Sequence, residues 1–384
     1  MTTPRESAPP PFDYQPLGRV VFGAGSLSRL GEMARDLGGT RVLLVTDPGL
    51  EHAGHPQRAE EALRAAGLAV AVFDAVEENP TARHVEAGAT AAREHRADLL
   101  VAVGGGSAMD VAKGTNFLVS NGGSIADYHG FGKAKKPMLP SIGVPTTAGT
   151  GSEAQSYALI ADESSHLKMA CGDKKAAFRI AVLDPEVTLT QPPGVTAVTG
   201  LDSVAHAIES YVCTRRNALS QTFARQAWNL LSRNFGRVLD RPGDLGARAD
   251  MQLGAHLAGM AIEASMLGCA HACANPLTAH YGTTHGVAVG VMLPHVIRYN
   301  AAAVDPLYAE LARDAGLGGG AEALAGRVAT LMRSAGLPAS LAECGVSRDI
   351  LPLLAEEASE QWTARFNPRP VTEADLRRLY EAAV

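Results

Sequence analysis

The stretch GLDSVAHAIESY puts Asp202 and His206 four residues apart, a spacing that stacks both side chains on one face of a helix. Further on, GCAHACANPLTAHYGTTHGVAVGVMLPHVIRYN supplies His271, His280, His285 and His295 among apolar residues. A lone histidine on an apolar helix is ordinarily a core residue. Several of them sharing one region with a helical aspartate point instead to a metal site. Imidazole and carboxylate ligands suit first-row divalent ions, and the lack of cysteine in the set disfavours a structural zinc cluster. Such an ion works as a Lewis acid on an alcohol or carbonyl oxygen. Spacing alone does not choose which of the later histidines join Asp202 and His206.

A second chemistry is written in the first half. After the apolar run DLLVAV comes GGGSAMDVAKG. Gly104, Gly105 and Gly106 let the backbone approach a diphosphate closely, and the following helix aims its free N–H groups at it. Ser107 is expected to cap that helix, with Asp110 completing a capping-box-like pattern. The loop is not a GxGxxG fingerprint, so an ordinary Rossmann site is not expected. PTTAGTGSEA then brings Thr146, Thr147 and Thr150 together with two glycines. Hydroxyls and open amides suit phosphate or ribose oxygens; the plainer reading is a Ser/Thr-rich turn capped at Ser152. Asp47, at the end of RVLLVTD, is placed to accept from ribose hydroxyls. Its charge would repel a 2′-phosphate, favouring NAD(H) over NADP(H).

These residues need elements to hold them. RVLLVTD, LAVAVFD and DLLVAV read as buried parallel strands, RVVFGAGSL as a strand, a glycine turn and a helix start, and Thr81 to His95 as a helix. RIAVLDPEVTLTQPP holds a last strand and a Pro-rich break. Beyond it the long segments are helical. The expectation is an α/β dinucleotide-binding domain over residues 1–192 and an all-α metal-binding domain over 193–384, with a ligand cleft between them.

Composition narrows the function classes. The chain has 384 residues, enough for two domains, with 46% hydrophobic and 19% charged residues. A formal charge of −6 argues against nucleic acid or an anionic membrane as partner. No stretch reads as a transmembrane helix, and Met1 to Pro11 reads as a frayed polar tail with no apolar signal core. Five cysteines, odd in number, lack zinc-finger spacing; Cys269 and Cys273, four apart in an apolar helical stretch, read as core packing, and a reducing cytoplasm is expected.

The segments GGGSAMDVAK, PTTAGTGSE, GLDSVAHAIESY and NPLTAHYGTTHGVAVGVMLPHVIRYN resemble those of the iron-containing (group III) alcohol dehydrogenases, over nearly the whole chain. The resemblance implies a dehydroquinate synthase-like fold. It implies Asp202, His206, His271 and His285 as ligands of a divalent metal, Fe²⁺ by family with Zn²⁺ as the alternative. It also places Asp47, Gly104, Gly105, Gly106, Ser107, Asp110, Thr146, Thr147, Thr150, Lys168 and Leu183 at or near the nicotinamide cofactor, with Lys174 and Lys175 as alternatives to Lys168. The implied activity is NAD-dependent hydride transfer between a small primary or secondary alcohol and its aldehyde or ketone, in a homodimer or larger homo-oligomer to which RVVFGAG contributes. The substrate pocket is expected near residues 255–260 and Trp362. A metal- and NAD-dependent cyclase or lyase of the dehydroquinate synthase type, a maleylacetate reductase-like enzyme and a non-catalytic NAD-binding protein are the other readings. One departure stands out. Many members have a further histidine where this chain has Asn275, and Asn cannot exchange a proton near neutral pH. If that histidine relays the alcohol proton, another group or water must do so here; His280 is a candidate, with a core or supporting role as the alternative.

Overall fold

Strands covered on both faces can afford unbroken apolar sequences, and RVLLV, LLVAVG and SIGVP form such strands. The computed structural model describes residues 10–162 and 168–384; residues 1–9, most of the stretch expected to be a tail, lie outside the described residues. The strands are β1 (Arg19–Phe22), β2 (Arg41–Val45), β3 (Ala69–Phe73), β4 (Leu99–Gly104), β5 (Gly130–Phe131), β6 (Ser141–Pro145), β7 (Tyr157–Ala161), β8 (Lys168–Gly172) and β9 (Ile180–Leu183). Six make one parallel sheet in the order β1-β9-β6-β4-β2-β3, and β5-β8-β7 form a small second sheet. Helices α1 (Leu30–Asp36), α2 (His55–Ala65), α3 (Ala82–His95) and α4 (Gly106–Asn121) connect the main strands.

The chain runs from β2 to β3 on one side and returns with β4 on the other side of β2. Strand order thus reverses between β2 and β4, and the carboxyl ends of strands at such a point are where an open α/β sheet binds ligands. Asp47 follows β2, and Gly104 ends β4.

After β9 the chain is helical: α5 (Pro193–Val212), α6 (Ala218–Asp240), α7 (Leu245–Ala264), α8 (Cys269–Tyr281), α9 (His285–Asp314), α10 (Ala321–Ser334), α11 (Leu351–Glu360) and α12 (Glu373–Ala383). Their buried faces share one core that includes Trp228, Phe235, Tyr308, Tyr380, Cys269 and Cys273. The chain bends by 106° between α7 and α8. Ser265 and Gly268 leave the helical region there, and a side chain at Gly268 would come within 3.0 Å of the Glu209 carboxylate.

One expectation needs correction. α9 is long and apolar enough, by length and composition, to cross a membrane, but 67% of its apolar window is buried inside the protein. It carries Pro294 and Pro306 and departs from helical geometry at Val304. Packing, not lipid, accounts for its apolarity.

Candidate active site

α5 brings Asp202 and His206 to one face, as their spacing requires. The bend before α8 brings in His271, and the first residue of α9 is His285. The Oδ1 atom of Asp202 lies 3.4 Å from Nε2 of His206, 3.4 Å from Nε2 of His271 and 3.9 Å from Nε2 of His285. The His206 and His271 rings stack at 4.9 Å, and His271 and His285 are 5.4 Å apart. Asp202, His271 and His285 each offer a ligand atom within 4.8 Å of the others, with His206 flanking them. His280 and His295 stand apart from this group.

The electrostatics suit a cation. Asp202 Oδ1 and His271 Nε2 are buried with no hydrogen-bond partner, a costly arrangement unless a ligand satisfies them. Burial would push the Asp202 carboxyl up, but the three imidazoles outweigh it and hold it well below its ordinary range. Burial lowers His206 to about 4 and His285 to about 3, which keeps both rings neutral and able to ligate. At His271 burial is outweighed by the Glu209 and Asp202 carboxylates, and its pKa is pushed up to about 9. A divalent ion competes for that charge site. The donor set, two unsatisfied buried atoms and two neutral rings around one carboxylate, fits a first-row divalent metal.

Glu209 was not singled out in the sequence. Its Oε2 lies 2.5 Å from His271 Nδ1, and its Oε1 accepts from the Ala270 N–H at 2.7 Å. It therefore orients the ring and places a negative charge at the start of α8, where the helix dipole favours one. Asp202, His206 and Glu209 follow one helical face at steps of four and three, and that period could have revealed it.

The group lines a cleft of about 370 Å³. Gly105, Gly106, Ser107, Asp110, Thr147, Thr150 and Lys168 line the same cleft. The two loops touch: a side chain at Gly106 would come within 2.7 Å of the Thr150 methyl, and one at Gly105 within 3.5 Å of Thr147. Gly106 is thus the position where the two loops pass too closely for a side chain, while one at Gly105 would make only ordinary contact. Asp47 lies against Gly104, with its Oδ2 3.1 Å from where a Cβ on that glycine would be. Asp47, Gly104, Thr146 and Leu183 do not line the cleft itself; Leu183 is fully buried opposite Phe22 in the sheet. Lys174 and Lys175 do not reach it either, and Lys175 instead pairs with Asp173 at 3.0 Å.

Two local expectations are overturned. Ser107 does not cap α4: the helix starts one residue earlier, its N-cap is Gly105, and no side chain caps it. The first-turn amides are left open toward the cleft, as an anion site requires. Asp110 accordingly does not complete a capping box. It accepts from the Ser152 hydroxyl at 2.7 Å, and buried Lys113 donates to the Ser152 carbonyl, the Ser152 hydroxyl and the Tyr157 carbonyl, all at 2.7 Å. These residues tie α4 to the threonine loop. Residues 255–260 also lie outside the cleft wall, to which Ile262, Leu267 and Trp362 contribute.

Asn275 faces the cleft and donates to Gln361 Oε1 at 2.9 Å. His280, the candidate replacement for a proton-exchanging group, is held by Glu357 at 2.9 Å and lines a neighbouring cavity, not the cleft. It does not fill that role.

Known proteins match this architecture throughout. The profile of iron-containing alcohol dehydrogenases matches residues 18–185, and that of the Fe-containing alcohol dehydrogenase family, C-terminal, matches residues 196–384. The NAD-dependent methanol dehydrogenase of Bacillus methanolicus is 33% identical over 371 residues, covering 95% of this chain and 97% of that protein. The lactaldehyde reductase of Escherichia coli (strain K12) is 35% identical over 373 residues, covering 94% and 97%. A crystal structure of 1,3-propanediol oxidoreductase superposes with a TM-score of 0.94 at 34% identity, covering 98% of this chain and 100% of that one. With a candidate metal centre and an open-amide loop sharing one cleft, the chain is an NAD-dependent alcohol/aldehyde oxidoreductase and belongs to the iron-containing alcohol dehydrogenase family.

Proposed function

We propose that Asp202, His206, His271 and His285 hold the divalent metal, with Fe²⁺ favoured by family and Zn²⁺ as the alternative. When bound, that ion supplies Lewis acidity to the substrate oxygen. Asp202 provides the one anionic ligand, and Glu209 sets the orientation of His271. The open amides of Gly105 to Ser107 would hold the diphosphate of NAD(H) in the cleft. Thr147 and Thr150 offer hydroxyls to it, and Asp47 discriminates against a 2′-phosphate. Thr146, Gly104 and Leu183 support the cofactor from behind the cleft wall. When bound, NAD(H) would supply or accept the hydride exchanged with the carbon of a small primary or secondary alcohol, or its aldehyde or ketone. Asn275 cannot accept the alcohol proton, so another group in the cleft or water must carry it.

The observation that carries this reading is the pair of unsatisfied buried atoms, Asp202 Oδ1 and His271 Nε2, 3.4 Å apart in the same cleft as the α4 amides. A dehydroquinate synthase-type reaction handles a polyanionic substrate and wants several cations around it. Among the described residues lining the cleft, Lys168 is the one Lys or Arg, which favours hydride transfer on a neutral substrate. The full Asp/His/His/His set likewise favours it over maleylacetate reductase chemistry.

We further propose a cytoplasmic homodimer or larger homo-oligomer, with domains over residues 1–192 and 193–384. Strand β1 supports the assembly: among the described residues it pairs only with β9, at the end of the sheet, and Val20 and Phe22 are exposed on it. The test of function is NADH oxidation with simple aldehydes by protein purified without oxygen, with metal content measured on the same sample. Aldehyde-dependent turnover that tracks iron content supports the reading. Metal-replete protein with no turnover on any aldehyde or ketone sinks it.

A further inference from the structure

Next to the catalytic cleft lies a second cavity, of about 690 Å³, that the hydride transfer described above does not use. Tyr157, Lys168, Gln361 and Trp362 line both spaces, which therefore adjoin along these residues. Gln361 at that border accepts from Asn275 at 2.9 Å and donates to the Glu357 carbonyl at 3.4 Å. Along it runs a row of rings. Phe131 and Tyr157 have centroids 5.6 Å apart, as do Tyr157 and Trp362. Phe131 and Trp362 stay 52% and 36% exposed, large apolar groups left uncovered beside an empty volume. Ala170 and Ala279 also line the cavity and contribute only methyl groups. Glu357 and Glu360 also border the cavity.

Such a volume exceeds what a one- to three-carbon alcohol needs and falls within the roughly 300–1,000 Å³ typical of pockets for larger organic ligands. Aromatic walls reward flat or apolar groups, since rings gain from offset stacking beyond the area they bury. Glu357 is held by His280 and Lys168 also borders the cavity, so its wall carries no excess of one charge to favour an ionic tail. Resting on the functional reading above, we propose that this cavity takes the tail of the substrate, and that the tail is an uncharged aryl or medium-chain alkyl group. The reacting carbon lies at the histidine cluster, and the tail passes Trp362 into the second space. Phe131, Tyr157 and Trp362 are then the specificity-determining residues.

The test compares kcat/KM of the iron-loaded enzyme, in the direction of NADH oxidation, for acetaldehyde, hexanal, phenylacetaldehyde and succinic semialdehyde. Hexanal and phenylacetaldehyde should exceed acetaldehyde by at least about tenfold, the discrimination that one or two well-placed apolar contacts give. Succinic semialdehyde should show no such gain. Ala279→Phe, which projects a ring into the cavity, should bring the phenylacetaldehyde-to-acetaldehyde ratio down toward one. Phe131→Ala, at an exposed position where folding is not at stake, should lower that ratio several-fold and decides the matter if Ala279→Phe fails to fold. A flat series in the wild type with measurable acetaldehyde turnover, a preference for succinic semialdehyde, or a ratio unmoved in the folded variants overturns the tail assignment alone. No turnover on any of the four by metal-loaded protein overturns the hydride-transfer reading, and the tail assignment with it.

Discussion

The Glu209 carboxylate lies 2.5 Å from Nδ1 of His271, which makes Nδ1 the N–H nitrogen and, in the neutral ring, turns the Nε2 lone pair toward Asp202. An acidic residue two helical turns from Asp202 thus prepares a ligand that arrives from another helix. The same carboxylate holds the Ala270 amide, so ring and helix end are fixed together.

Glu209→Gln tests this. The amide oxygen would keep the Ala270 bond, leaving the NH₂ group to donate to Nδ1. That forces the proton onto Nε2, the nitrogen that should ligate. Metal affinity should fall by about 10–100-fold, the usual loss for a group that orients a ligand, with the fold unchanged by circular dichroism. Unaltered affinity in a metal titration would remove Glu209 from the account.

Asp47 follows β2 and lies against Gly104 at the end of β4. If its charge excludes a 2′-phosphate, Asp47→Ser should raise kcat/KM for NADPH relative to NADH by roughly tenfold, about 1.4 kcal/mol of binding. The check is a steady-state comparison of the two cofactors at one aldehyde concentration. An unchanged cofactor ratio would place the ribose elsewhere.

The proton path is testable at Asn275. Asn275→His puts an imidazole in the cleft beside Gln361, with an ordinary pKa of about 6.5. The pH profile of kcat/KM should acquire a limb in that region that the wild type lacks. By contrast, His280→Ala should leave the profile's shape unchanged, because His280 is paired with Glu357 outside the cleft. A profile altered by His280→Ala and not by Asn275→His would reverse these assignments.

Much of this was legible in the sequence where a period or a loop carries it. Buried parallel strands announce themselves as RVLLV and LLVAVG, and the helical spacing of Asp202 and His206 puts both on one face. What linear spacing does not show is which later histidines reach them. That depends on the 106° bend before α8, and resemblance to the family selected His271 and His285 where periodicity left four candidates. Ser107 misled because a serine after glycines looks like a cap; the helix begins at Gly106 instead, one residue earlier. Asp110 and Lys113 look like the polar face of a helix, yet both are buried, because loop 150–157 folds over them. α9 looked unremarkable in sequence but is apolar enough to span a bilayer, since it runs through the centre of the helical core.

The most direct test of the metal centre is His271→Ala, purified without oxygen beside the wild type, with iron and zinc content and NADH-dependent aldehyde reduction measured on the same preparations. Metal and turnover should be lost together while the helical content is kept. Full turnover with a normal metal complement would contradict the assignment of Asp202, His206, His271 and His285 as the metal site.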